Sequence, residues 1–262
     1  MRILFFGDIV GDPGIAAVSD VLSFLGEEFD VDLIIANGEN ATKGFGISYR
    51  DACALFDRGV DIITLGNHWH SRNSIDDFIE EFDTLVRPYN VRDYDFGQGY
   101  VTVDVNGIAV TVTNLLGTAF MKEEVNSPIV SMHDILAAAP EGIHIVDYHG
   151  ESTSEKSVFA HYFDGQVSAV IGTHTHVQTN DARILPQGTA FISDVGFCGA
   201  QESVIGFEPQ SVINRIVFGD PKPMAISMDG DRCVNAVLLE FDEETYMATS
   251  VKTLYYINGK ER

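Results

Sequence analysis

At 262 residues, with 45% hydrophobic and 21% charged content, the chain can bury a sizeable core and fits one large α/β domain about as well as two small ones. A formal charge of −23 argues against a basic groove for long nucleic acid, since such a surface repels polyanions; solubility, or a salty cytoplasm, is its ordinary explanation. Cys53, Cys198 and Cys233 are widely spaced and form no Cys-x-x-Cys, against a disulfide-stapled secreted fold or a structural zinc cluster.

Along the chain, Ile3–Phe6 reads as a strand, and the apolar spacing from Pro13 to Phe24 as a helix with Asp12 as its N-cap. The apolar run at the start is too short for a signal peptide, and no segment approaches the ~18 apolar residues of a membrane span. A cytoplasmic protein is expected, with no membrane partner. Leu33–Ala36 is a second strand, followed by a helix capped by Ser48, running to about Arg58, with Ala52, Leu55 and Phe56 inward. Ile62–Leu65 is a third strand. Such continuous apolar runs suit a sheet covered on both faces.

Tyr100–Val105, then Asn106-Gly107, then Ile108–Val112 predict a hairpin. Ser131–Ala138 reads as helix, Ile143–Asp147 as strand, Ser154–Phe163 as helix and Val167–Ile171 as strand. Thr189–Ser193 is a further strand, and the region from Cys233 to Leu254 an antiparallel pair. Two stacked sheets flanked by helices, in a single domain over residues 1–262, are expected. Gly and Pro interrupt residues 196–223, which read as a loop or flap near the site.

Five strand ends carry chemistry. In an α/β sheet the carboxyl ends of the strands form the ligand-binding rim. Asp8 follows the first strand, where it can bind a hard cation or merely cap the next helix. Asn37-Gly38-Glu39-Asn40 offers a carboxylate able to bridge two cations and an amide oxygen, or else a self-stabilised turn. Asn67 adds an amide oxygen, and His68 beside it is either a ligand or a proton donor. His70 reads as a solvated neighbour. His149 and the pair His174-x-His176 supply imidazoles, which Asp147 and Glu151 could orient. His133, His144 and His161 read as ordinary surface or core histidines. Singly each signal is weak; together they point to a two-metal hydrolase.

With Gly7-Asp8, Gly38-Glu39-Asn40, Gly66-Asn67-His68, His149 and Gly172-Thr-His174-Thr-His176 in view, the chain resembles the calcineurin-like metallophosphoesterase superfamily. The strings Gly-Asp-Ile-Val-Gly-Asp-Pro-Gly (7–14), Gly172–Thr179, Asp181–Pro186 and Ser193–Gly196 are similar to its bacterial YmdB-type branch. Much of the superfamily has histidine where this chain has Val10, and a bridging aspartate where it has Glu39; both are the branch's own pattern. Trp69-His70-Ser71 departs from the Trp-Asp run of the branch. The resemblance implies a four-layer αββα sandwich of two mixed sheets. It implies one metal held by Asp8, Glu39, Asn40 and His176, a second held by Glu39, Asn67, His149 and His174, and His68 as proton donor.

The resemblance further implies a phosphodiesterase for small substrates such as 2′,3′-cyclic nucleotides, using iron or manganese and a metal-bridged hydroxide. The ligands themselves suit iron, manganese or zinc about equally. A phosphomonoesterase on the same site, or a regulatory protein on a weakly active hydrolase fold, are the alternatives, and homo-oligomerisation stays open.

Overall fold

In the strand Arg2–Phe6, Ile3 and Phe5 face one side and Leu4 and Phe6 the other, and all four are fully buried. A strand buried on both faces must sit inside layers, and here the layers differ in kind. Leu4 and Phe6 pack with Ile15, Val18 and Leu22 of the helix Gly11–Phe29 and Leu55 of the helix Tyr49–Phe56. Ile3 and Phe5 pack instead with Val110, Val112, Ile145 and Ile171, which belong to a second sheet. The second sheet's outer face carries Val146, Tyr148 and Phe191 against Met132 and Ile135 of the helix Pro128–Ala138 and Phe159 of the helix Thr153–Tyr162. The layer order is therefore αββα, in a computed structural model that describes residues 1–92 and 94–262.

Both sheets are mixed. The first runs Lys260–Glu261, Ala248–Ile257, Arg232–Phe241, Arg2–Phe6, Leu33–Asn37, Ile62–Thr64 and Leu85–Val86 in space. Its last four strands are parallel, so four successive carboxyl ends lie at one edge. The second runs Arg183–Ile184, Ala190–Ile192, Ala169–Thr173, Ile143–His149, Ile108–Leu116 and Tyr100–Val105. Its four central strands are parallel and bring the ends at His149 and Thr173 side by side.

The expected elements are present with shifted ends, and three expectations need correction. The first helix begins at Gly11, its cap Val10 makes no side-chain bond, and Asp12 lies inside the first turn, paired with Arg50 at 3.1 Å. Asp8 caps nothing; it lies in a short strand, Asp8–Ile9, paired with Phe197–Cys198. Residues 196–223 are not simply a loop, because they hold the strand Phe197–Ala200 and the helix Pro209–Phe218. That helix has Pro at its start and Gly219 in the left-handed region at its end, which are ordinary boundary signals. It buries Val212 while Ile216, Val217 and Phe218 stay exposed, so no core-facing stripe marks it. The hairpin forms as read, with Asn106 and Gly107 both at positive φ. Ser48 caps its helix by accepting from the Asp51 N–H. Among the described residues no helix is long and apolar enough to cross a membrane.

His144 is a core histidine, with Nε2 2.8 Å from the Thr113 hydroxyl. Burial lowers its pKa from 6.5 to about 4. The unfolded chain therefore takes up this proton first, and stability complete above pH 6.5 is lost as pH falls toward 4. The loss is on the order of 3 kcal/mol, a fall of between two and three pH units at about 1.36 kcal/mol each. Urea midpoints of the wild type and His144→Asn, measured at about pH 7 and about pH 4.5, should show a smaller drop in the variant. Equal drops would assign the acid sensitivity to other groups.

Candidate metal centre

The two sheets meet at their carboxyl edges through one buried carboxylate. Asp147, on the strand Ile143–His149, accepts from Asn37 Nδ2 at 2.9 Å and from the Thr64 hydroxyl, both on the opposite sheet. It also accepts from the Thr173 hydroxyl at 2.6 Å. Burial raises its pKa, while the neighbouring His149 and these donors pull it down. Thr173 has a single hydroxyl proton and gives it to Asp147, so its oxygen receives the His149 Nδ1 hydrogen at 2.8 Å. This relay commits Nδ1 of His149 to Thr173 and turns Nε2 toward the rim.

That Nε2 lies 3.2 Å from Glu39 Oε1, 3.0 Å from Asn67 Oδ1 and 3.1 Å from His174 Nδ1. Donor atoms of Glu39, His149 and His174 all fall within 4.8 Å of one another. One ring nitrogen with at most one hydrogen cannot satisfy three electron-pair donors, whereas a shared cation satisfies all of them. A second focus adjoins the first. Asn40 Nδ2 lies 3.4 Å from Asp8 Oδ1, 2.9 Å from Glu39 Oε1 and 3.2 Å from His176 Nε2. Turning the amide by half a revolution would set Oδ1 at that point, and the four acceptors then converging would suit a cation. Glu39 belongs to both foci. Its second oxygen accepts from the His68 N–H at 2.9 Å.

The charges are balanced at close quarters. Burial raises the Asp8 carboxyl to about 6, against the opposing pull of His176 and His149. Burial also pushes Glu39 upward, but His149 beside it and the His68 N–H hold it well below the usual carboxylate range. Burial pushes the His149 ring down, yet Glu39 lifts it to about 9. Burial and the neighbouring His149 lower His174 to about 3. Gly66 makes room for the cluster: a Cβ there would stand 2.5 Å from His149 Nε2 and closer still to the Glu39 carboxylate.

His174 and His176 follow the end of the strand Ala169–Thr173, and both have positive φ, 107° and 64°. The His-x-His pair therefore lies in a loop beyond the strand rather than on one strand face. Left-handed backbone at a non-glycine residue typically costs about 1–3 kcal/mol and persists where its surroundings over-determine it. Here a buried ion pair does so. Lys156 Nζ donates to Asp194 Oδ2 at 3.0 Å and to the Thr173 carbonyl at 2.8 Å, and Asp194 Oδ2 also accepts from the Thr175 N–H at 2.9 Å. Asp8 Oδ2 accepts from the His174 N–H at 3.1 Å, and the Ile205 carbonyl lies 3.0 Å from His176 Nδ1. Glu151 reaches His174 Nε2 at 3.2 Å, leaving Nδ1 to face the cluster.

Asp8, Glu39, Asn40, Asn67, His149, His174 and His176 thus come together, as the sequence spacing predicts. His68 lines the same cavity, with Nδ1 3.2 Å from the Ser71 hydroxyl. His70 turns away and pairs with Asp76 at 3.0 Å. Sequence reasoning misses Lys156, Asn37, Thr64, Thr173 and Gly66 as supports. Lys156 in particular sits in a polar helix turn with no signal that its ammonium is buried.

A family model described as YmdB-like protein matches residues 4–254. A curated relative from Bacillus subtilis (strain 168), described as 2′,3′-cyclic-nucleotide 2′-phosphodiesterase, is 37% identical over 97% of this chain and 96% of its own length. Two crystal structures align with TM-scores of 0.91 and 0.92. The first, a hypothetical protein from Thermus thermophilus, is 35% identical and covers 98% of this chain and 99% of its own. The second, described as a novel phosphatase from Mycoplasma pneumoniae, is 33% identical and covers 98% and 93%.

Lys156→Met leaves Asp194 buried without its partner, which should cost about 3–5 kcal/mol in stability. The urea midpoint checks this, and an unchanged midpoint would show that the histidine loop stands without the pair.

Proposed function

The chain belongs to the YmdB-like branch of the calcineurin-like metallophosphoesterases, and we propose that it is a metal-dependent phosphodiesterase acting on small phosphodiesters such as 2′,3′-cyclic nucleotides. The observation that carries this reading is the convergence of seven donor side chains from five strand ends on two adjoining foci that share Glu39. Asp8, Glu39, Asn40 and His176 would hold one cation; Glu39, Asn67, His149 and His174 would hold the other. Two such cations supply an activated water at neutral pH and neutralise charge on the phosphate oxygens.

The charge of the cavity supports the same reading. Its lining includes Glu39 and Glu151 and, among the described residues, no lysine or arginine, so an anionic phosphate meets no permanently cationic side chain there. Bound cations reverse that field locally and admit a small ester, while the acidic exterior still disfavours a long polyanion. Iron and manganese suit the mixed nitrogen and oxygen set.

His68 is placed to act on the leaving group. Its backbone is anchored to Glu39, and Ser71 engages Nδ1, which leaves Nε2 to donate a proton to the departing alkoxide. In a 2′,3′-cyclic substrate, water adds to phosphorus, the bond to the 2′-oxygen breaks, and that oxygen takes the proton. A nucleoside 3′-phosphate results.

Metal analysis by ICP-MS on protein purified without chelator, paired with turnover of bis-p-nitrophenyl phosphate and p-nitrophenyl phosphate before and after EDTA, tests the reading. About two metals per chain and EDTA-sensitive preference for the diester are expected; preference for the monoester would make the protein a phosphomonoesterase instead. His68→Ala should lower kcat by roughly 10²–10⁴ with metal content nearly intact. Glu39→Ala should lose metal as well as activity. Full activity with both metals retained in Glu39→Ala would sink the ligand assignment.

A further inference from the structure

The cavity over the strand ends has a volume of about 400 Å³, within the range of small-molecule sites, and its two ends differ in chemistry. One end is the polar rim. The other is marked by Phe45, Phe207 and Met224, while Ile205 stands beside the rim with its carbonyl 3.0 Å from His176 Nδ1. The polar side chains of the lining belong to the rim or to the adjoining Glu151 and Thr175. The apolar end therefore offers surface without side-chain hydrogen bonding.

Phe45 is half-buried at this end, and its ring stands edge-on to the His68 ring with centroids 4.9 Å apart. Phe207 lies tilted beside it at 5.6 Å. The turn that carries Phe45 is built to hold it there. Gly44 has a φ of +80°, and a Cβ on it would meet Phe207 Cζ and Ile226 Cδ1, each at 2.8 Å. Arg72 then pins the loop from below, donating from Nε to the Phe45 carbonyl at 2.9 Å and from Nη2 to the Thr42 carbonyl at 2.8 Å. The Phe207 loop is closed by reciprocal backbone bonds with Val204. A partly exposed aromatic ring fixed one ring away from the proposed proton donor is preorganised for a flat, apolar partner.

We propose that the half-exposed ring of Phe45, backed by the buried Phe207, forms a stacking platform for the nucleobase of the substrate, and that this platform accepts purines and pyrimidines alike. The proposal rests on the phosphodiesterase reading above and deepens it. Every base has a π-face, so stacking is tolerant of sequence, whereas discrimination needs donors and acceptors for the base edge, which the side chains of Phe45, Phe207 and Met224 do not supply. A nucleotide lying across the cavity would set its base on Phe45 and its phosphate at the rim, with His68 between them.

Steady-state kinetics on the metal-loaded enzyme test the platform with 2′,3′-cyclic AMP, 2′,3′-cyclic CMP and ribose 2′,3′-cyclic phosphate, which has no base. The wild type should turn over both nucleotides with kcat/KM within about tenfold of each other, since stacking distinguishes bases weakly. Phe45→Ala should raise KM for both nucleotides by roughly tenfold or more with kcat close to wild type, and affect the base-free sugar far less. Phe45→Trp should restore the nucleotide KM. An equal loss on the base-free sugar would overturn the proposal and make Phe45 a prop for the His68 ring. If the wild type cleaves bis-p-nitrophenyl phosphate but neither cyclic nucleotide, the platform falls while the diesterase reading stands. If it cleaves none of these substrates, both fall.

Discussion

The site depends on which way the His149 ring points, and the buried Asp147 carboxylate decides it. Held by Asn37, Thr64 and Thr173, Asp147 ties the two sheets together at their carboxyl edges and, through Thr173, orients the ring of His149. A carboxylate in this position would be costly without donors, and each of its donors is itself fixed on a strand. The same bonds that bring the edges into contact therefore aim a ring nitrogen into the gap. Register and site geometry are one constraint, since sliding either sheet would break the bridge and turn His149 away.

The cluster beyond His149 is high in buried charge, and much of its support comes from residues outside it. The histidine loop keeps two residues in left-handed backbone, and the Lys156–Asp194 pair braces that loop on both sides of His174. Buried ion pairs seldom add net stability, because desolvation offsets their attraction. Here the pair is used for position: Lys156 reaches from the outer helix to the loop that carries His174 and His176. Asp8 grips the same loop through a backbone N–H. Rigidity in the support holds the donor atoms in a fixed cluster, a preorganisation that would favour a cation.

Much of this architecture is legible along the chain. Continuous apolar runs at Ile3–Phe6, Leu33–Ala36 and Ile62–Leu65 identify strands buried on both faces, and Asn106-Gly107 identifies the hairpin, because these signals arise from local backbone chemistry. The strand-end residues Asp8, Glu39, Asn67, His149 and His174 are legible for a related reason: parallel strands share a direction, so their ends share an edge. The helix Pro209–Phe218 is not legible, since it buries little and carries no apolar stripe toward a core. Asp12 reads as a cap because it precedes an apolar run, yet the turn through Gly11 starts the helix two residues earlier.

Amino-acid order alone is enough to say which elements form, that they alternate to make parallel strands, and which donor types stand at the strand ends. Periodicity and turn chemistry are properties of neighbours in the chain, so a one-dimensional reading reaches them. Folding in three dimensions adds which donors share a focus, which nitrogen of each ring faces inward, that Asp147 bridges the two sheets, and that Lys156 is a buried support rather than a surface charge. Those outcomes come from pairs far apart in the chain, such as Asn37 with Asp147 and Lys156 with Asp194. Their geometry is set by sheet stacking and desolvation, which local sequence does not encode.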